Sequence, residues 1–169
     1  VMVAAKNDAA HMHLASQIQA KTAFRIYQAL VWGNIKEESG IIRGDIGRHP
    51  VDRKKMAVVQ ENGKPATTHF RVLERYGEAT LVECRLETGR THQIRVHMAY
   101  IGHPLLGDPK YGTDKKGRVR GSFAIQGQAL HSMSLELTHP VTGERMKFHA
   151  PMPEDMEKLI EKLRHRLAK

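Results

Sequence analysis

Residues 86–112 read LETGRTHQIRVHMAYIGHPLLGDPKYG and concentrate most of the chain's reactive side chains. Arg90 and Arg95 offer guanidinium forks for a carboxylate or phosphate, and His92, His97 and His103 offer imidazoles for proton transfer. Gln93 and Asp108 add an amide and an acid. Thr88-Gly89 reads as a strand-ending turn, since glycine tolerates a positive φ. From Thr91 the period becomes helical, with Ile94, Met98 and Ile101 forming one apolar stripe, and Gly102 and Pro104 end it. A short helix with Arg90, His92, Gln93 and Arg95 in its first turn is expected to present an anion-facing surface. The alternative is a helix start that uses its polar residues only as caps.

Metal chemistry suits this stretch poorly. His92, His97 and His103 are five and six residues apart, whereas helical zinc ligands need the same face at i and i+4. There is no H-E-x-x-H and no cysteine pair. Cys84, the single cysteine, allows no internal disulfide and reads as a small buried hydrophobe. No metal and no cofactor is expected.

The partner is suggested by charge. A formal charge of +9 and a pI near 9.8 point to a polyanion, first of all nucleic acid, though charge alone does not separate RNA from DNA or an anionic membrane surface. Arg48, Arg53, Lys54 and Lys55 fall within eight positions beside His49. Such a run is either a phosphate-contacting loop or a solvated surface. No apolar run approaches the roughly 20 residues that span a bilayer, no signal peptide is seen, and a cytoplasmic monomer is expected. With 40% hydrophobic and 27% charged residues, residues 1–169 read as one globular domain.

The elements that must position these residues follow from periodicity. Val1-Met2-Val3-Ala4-Ala5-Lys6 is strand-like, and Asn7-Asp8 caps a helix to about Lys21 with Leu14 and Ile18 on one face. Residues 24–32, FRIYQALVW, are a strand with Tyr27 facing away from Phe24, Ile26 and Leu30. A further strand is expected over 40–47, a turn at Asn62-Gly63, and antiparallel strands over 67–76 and 79–87. The glycine- and cation-rich residues 113–121 read as a mobile surface loop. Residues 129–138 alternate through Met133, Leu135 and Leu137 and form a hairpin with 145–150. A closing helix after Pro153 buries Met156, Leu159, Ile160, Leu163 and Leu167. Many strands with few helices argue an α+β domain around a largely antiparallel sheet.

Three of these segments resemble one family. T-G-R-T-H-Q-I-R-V-H followed by G-H-P-L-L-G-D-P-K-Y-G, together with R-I-Y-Q-A-L-V-W-G and G-R-H-P-x-D-R-K-K-M-A-V, resemble the RluA/RluD family of pseudouridine synthases, in particular its ribosomal RNA branch. The resemblance runs from Val1 to about His149. It implies a bent mixed, mainly antiparallel sheet flanked by helices and loops, and isomerisation of uridine to pseudouridine in structured RNA. Large-subunit (23S) ribosomal RNA is the expected substrate and transfer RNA the other possibility. Carried over by position, Tyr27 lies against the flipped base and assists at C5, and Arg95 pairs with the nucleophilic aspartate. Arg48, His49, Arg53, Lys54 and Lys55 face RNA. Arg90, His92 and Gln93 either touch RNA or build the helix start. Arg25 stands where the family often has lysine.

That reaction breaks the N1–C1′ bond, turns the detached uracil and rejoins it through C5. It needs a base taken out of the stack and a carboxylate to attack the sugar. In the family the carboxylate lies in an H-R-L-D-K-like motif ahead of the strand that Val1 begins, and no such motif occurs here. Asp108 is expected to brace a turn, and Asp45 and Asp52 to pair with Arg48 or Arg53. The chain is therefore expected to be an excised piece, inactive alone. A catalytically silent RNA-binding module and a His-rich metal hydrolase are the rival classes.

Overall fold

A computed structural model describes residues 1–121, 123 and 125–169. Its elements in chain order are α1 (Asp8–Gln19), β1 (Phe24–Trp32), β2 (Ser39–Arg43), β3 (Ile46–Arg48), β4 (Met56–Val58), β5 (Thr67–Arg75), β6 (Ala79–Leu86), α2 (Gln93–Tyr100), β7 (Leu130–Thr138), β8 (Arg145–His149) and α3 (Glu154–Leu167). Six strands form one sheet in the order β2-β5-β6-β1-β7-β8, and β3 pairs β4 in a small second sheet. Each of these pairings is antiparallel, the α+β arrangement expected.

Alternation on the central strands builds a core on each face. Ala29 and Val31 of β1 lie with Val82 and Cys84 of β6 and Phe70 and Val72 of β5. Ile94 and Met98 of α2 cover this face. On the other, Leu30, Ala79 and Leu81 meet Met156, Leu159, Ile160 and Leu163 of α3, each fully buried side chain contributing about 1.5–3 kcal/mol. Burial pushes the Cys84 thiol up to about 12, the behaviour of a packed hydrophobe rather than a nucleophile.

Several expectations are corrected. Residues 1–6 form no strand: the Val1 nitrogen donates to the Ser132 carbonyl at 2.6 Å and Ser132 Oγ donates to the Val1 carbonyl at 2.7 Å, and one residue of pairing does not propagate a ladder. In α1 Leu14 and Ile18 do share one face, but the most buried residue is Gln17, whose amide clasps both backbone groups of Thr138 (2.7 and 2.8 Å). The strand expected over 40–47 breaks at Gly44-Asp45 and β3 leaves to join β4. A Cβ on Gly44 would stand 2.9 Å from a Val58 methyl, so the close approach requires glycine.

Met133 is the extra residue of a β-bulge, since Ile26 pairs Ser134 while Tyr27 pairs Ser132. It therefore leaves Leu135 and Leu137, which pack on Ala23, and faces α3 instead. Leu167 remains 58% exposed because the buried stripe of α3 ends at Leu163. Within 113–121, an isolated bridge joins Thr113 to Val119, and Asp114 accepts from the Lys116 and Arg118 amides.

Candidate active site and RNA-facing surface

The polar start of α2 is wired inward. His92 caps the helix in the left-handed region at φ 56°, a conformation that costs a non-glycine residue on the order of 1 kcal/mol or more. Its Nδ1 meets the Tyr111 hydroxyl at 2.8 Å, and the same hydroxyl accepts the Met56 amide at 3.1 Å. Tyr111 thus ties α2 to β4. Burial, then Arg95 and Lys110, hold His92 below its usual pKa against the pull of Asp108.

Gln93 is 3% exposed and fully engaged. Its Oε1 accepts from Thr88 Oγ1 (2.7 Å) and the Arg90 amide (3.0 Å), while Nε2 donates to the Thr67 carbonyl and Thr68 Oγ1, both at 3.0 Å. Thr68 Oγ1 donates in turn to His97 Nδ1 at 2.8 Å, because His97 Nε2 must donate to the Gly44 carbonyl at 2.9 Å. This directed chain fixes a neutral His97, and burial lowers its pKa despite the Gly44 carbonyl. Arg90 Nε donates to the Pro65 carbonyl at 2.9 Å. His103 Nδ1 likewise binds the Trp32 carbonyl at 2.7 Å.

Arg95 departs most from expectation. It is 8% exposed, and its Nε and Nη2 bind Asp108 Oδ2 and Oδ1 at 2.8 and 2.9 Å. Among the described residues its partner is Asp108, a residue expected only to brace a turn. Asp108 Oδ1 also accepts the Lys110 and Tyr111 amides at 2.9 and 3.0 Å, so the turn-bracing role expected of Asp108 is present as well. The guanidinium lies 5.1 Å from the Tyr111 ring centroid. Burial alone would raise the Asp108 pKa, but the Arg95 fork and the two amides outweigh it and hold the carboxyl low. Reciprocally, the bonds to Asp108 raise Arg95 against desolvation. The pair was hidden in the sequence because Asp108 lies beyond the helix stop, in what reads locally as a turn. Tyr111 was missed for the same reason.

Tyr27 stands elsewhere. With Arg25, Leu14, Ser132 and Leu135 it lines a cavity of about 250 Å³ on the α1 side of β1. Its ring also packs on the core face that holds Ala29 and Val31, opposite Leu30, as alternation predicts. Among the described residues lining this cavity there is no aspartate or glutamate. The aspartates given structural roles from the sequence lie elsewhere: Asp108 is bound by Arg95, and Asp52 caps its own turn through the Lys54 amide at 3.1 Å.

The basic loop between β3 and β4 is open. Arg48, Arg53 and Lys54 are exposed and Lys55 half-buried. Among the described residues none of the four forms an ion pair, so the pairing expected of Asp45 and Asp52 with Arg48 or Arg53 is absent. His49 Nδ1 accepts the Val51 and Asp52 amides at 3.2 and 3.0 Å and Arg48 Nη1 reaches back to the Arg53 carbonyl at 3.4 Å, closing the loop. Lys110 Nζ reaches the Lys54 carbonyl at 3.3 Å, joining the loop to the Asp108 turn. Tyr27 thus lines a cavity and the loop cations are largely exposed, whereas Arg90, His92, Gln93 and Arg95 are bound within the fold.

A family model described as RNA pseudouridylate synthase matches residues 1–100. The chain is 54% identical over 164 residues to the RNA pseudouridine synthase YlyB of Bacillus subtilis (strain 168), covering 97% of this chain and 52% of that protein. It is 48% identical over 167 residues to the ribosomal large subunit pseudouridine synthase D of Nitrosomonas europaea, covering 98% and 48%. The chain thus spans about half the length of these curated relatives. Among solved structures, human RNA pseudouridylate synthase domain containing 1 superposes with a TM-score of 0.70 at 28% identity, over 94% of this chain and 73% of that one. With the family model matching residues 1–100 and relatives 48–54% identical over almost the whole chain, the chain belongs to the RNA pseudouridylate synthase family.

Proposed function

We propose that this chain is the base-handling part of an RNA pseudouridine synthase acting on large-subunit ribosomal RNA. The observation that carries the reading is Tyr27 at a cavity of about 250 Å³, on the same fold as an unpaired cationic loop, in a chain of this family. A flipped base is read in a pocket beside aromatic and apolar side chains, and stacking on an aromatic ring stabilises an unstacked base by about 1–3 kcal/mol. Names of relatives as ribosomal large subunit synthases support the substrate class.

In this reading the loop cations hold phosphates, Tyr27 supports the flipped uracil, and its hydroxyl assists at C5. The carboxylate that attacks C1′ comes from the H-R-L-D-K-like motif that the resemblance implies, not from these residues. The isomerisation is redox-neutral: the N1–C1′ bond breaks, C5–C1′ forms, C5 loses its proton to solvent and N1 takes one up. Residues 1–169 alone bind RNA without turning it over, as a cytoplasmic monomer.

The test incubates the full-length protein with a large-subunit ribosomal RNA transcript and resolves the digested nucleosides. Pseudouridine should appear in step with uridine loss. Tight binding with every uridine intact would instead support the silent RNA-binding module.

A further inference from the structure

Arg25 is the one charged side chain in the described lining of the Tyr27 cavity, and it has no counter-ion there. Its Nε is buried and makes no hydrogen bond among the described residues. An orphaned guanidinium nitrogen is costly, because each buried donor without an acceptor forfeits its hydration. Arg25 sits two positions before Tyr27, so both side chains leave the same face of β1 and enter the same cavity. The rest of the described lining is apolar apart from Ser132, so charge there is poorly solvated. Burial lowers the Arg25 pKa, with Tyr27 opposing, though not enough to discharge a guanidinium.

The guanidinium also rests on Gly89, the glycine of T-G-R-T-H-Q. A Cβ built there would collide with Arg25 Nη1, with Cζ next at 3.3 Å. Gly89 is not among the positive-φ glycines, so its backbone could accept alanine. What Gly89 supplies is room for the cation. By contrast, the fork of Arg95 is already filled by Asp108.

We propose that Arg25 is the oxyanion-holding residue of the Tyr27 cavity, engaging through Nε and its neighbouring N–H groups either the attacking carboxylate or the phosphate beside the flipped nucleotide. This rests on the pseudouridine synthase reading for what the oxyanion does, but not for its being held. The two sources share one chemistry, a planar fork on paired oxygens, and differ in what removing the fork changes.

The experiment compares wild-type full-length protein with Arg25→Gln, Arg25→Lys and Gly89→Ala. It measures kcat, KM, RNA affinity across a salt series, and Tm. Arg25→Gln should lower kcat/KM about tenfold to a hundredfold, the usual worth of a charge-assisted hydrogen bond. Gly89→Ala should reproduce this with charge and fold intact, because the obstructed atom is the end of a flexible side chain. The two changes should not add when combined.

If the oxyanion is the carboxylate, kcat falls at constant KM and the acid limb of the kcat profile moves to higher pH. If it is the phosphate, affinity falls and the salt slope loses roughly 0.7. Arg25→Lys should rescue either only in part. Unchanged kcat, KM and salt slope in Arg25→Gln, or a Gly89→Ala protein indistinguishable from wild type, would overturn the proposal. Wild-type protein without turnover would instead count against the functional reading, and Arg25→Gln would still decide this one. A reduced salt slope shows the phosphate, an acid midpoint of Tm moved to higher pH shows the carboxylate, and the absence of both changes overturns the proposal.

Discussion

Arg95 and Asp108 form a buried fork-to-fork pair, with nitrogen–oxygen distances of 2.8 and 2.9 Å between α2 and the turn that follows it. Both residues are among the buried charged groups, at 8% and 0% exposure. Removing one partner strands the other in a dry site, so Arg95→Ala should destabilise by about 3–5 kcal/mol. At roughly 2–4 °C of Tm per kcal/mol for a chain of this size, thermal melts resolve that readily. Asp108→Asn keeps the acceptor for the Lys110 and Tyr111 amides and should cost less. A double-mutant cycle should give coupling far above that of the exposed Arg118–Asp114 pair, which water screens. Independent, additive losses would show that the two side chains do not act together.

Acid should unfold the protein in two stages. His97 is held below its usual pKa mainly by burial, so its folded form resists protonation. Its contribution is complete above the unfolded value near 6.5 and is lost as pH falls through the folded one. Asp108 is also depressed, so its contribution is present above an unfolded value of about 3.9 and lost in stronger acid. Denaturant midpoints measured from pH 8 to 3 should fall first below about 6.5 and again below about 4. His97→Gln should flatten the first stage and leave the second. A first stage of equal slope in that variant would assign it to other histidines.

How much of this was legible in the sequence divides along physical lines. Strands such as Phe24–Trp32 and the apolar stripe of Ile94 and Met98 announce themselves through local period, and the structure has them. The inward wiring of Arg95, Gln93 and His97 did not, because each has partners across 13 to 53 residues. A guanidinium at a helix start reads as anion-facing until its acceptor's position is known. Met133 misled for a related reason: a one-residue bulge reverses the facing of an otherwise regular alternation.

The basic loop offers a direct electrostatic test. Replacing Arg48, Arg53, Lys54 and Lys55 by Gln should weaken ribosomal RNA binding and reduce the log–log salt slope by roughly 0.7 to 0.9 per lost phosphate contact. Because none of the four forms an ion pair among the described residues, Tm should hardly move. An unchanged slope would make the loop a solvated surface only.

Tyr27→Phe keeps the ring that packs beside Ala29 and Val31 and removes only the hydroxyl. In the full-length protein RNA affinity should hold, since base stacking of about 1–3 kcal/mol belongs to the ring. Turnover should fall at least tenfold, within the range of a lost proton-transfer group. Full turnover in the Phe variant would leave the hydroxyl no chemical part.

The most direct measurement is tritium release from ribosomal RNA carrying [5-³H]uridine, because only C5–C1′ bond formation at uridine displaces that label. It should be run on the full-length protein and on residues 1–169 at matched RNA occupancy. The full-length protein should release tritium in step with pseudouridine, and residues 1–169 should bind the RNA and release none. Release by residues 1–169 alone would mean that one of their own carboxylates attacks the sugar, and the division of labour between Tyr27's cavity and a carboxylate from elsewhere would be wrong.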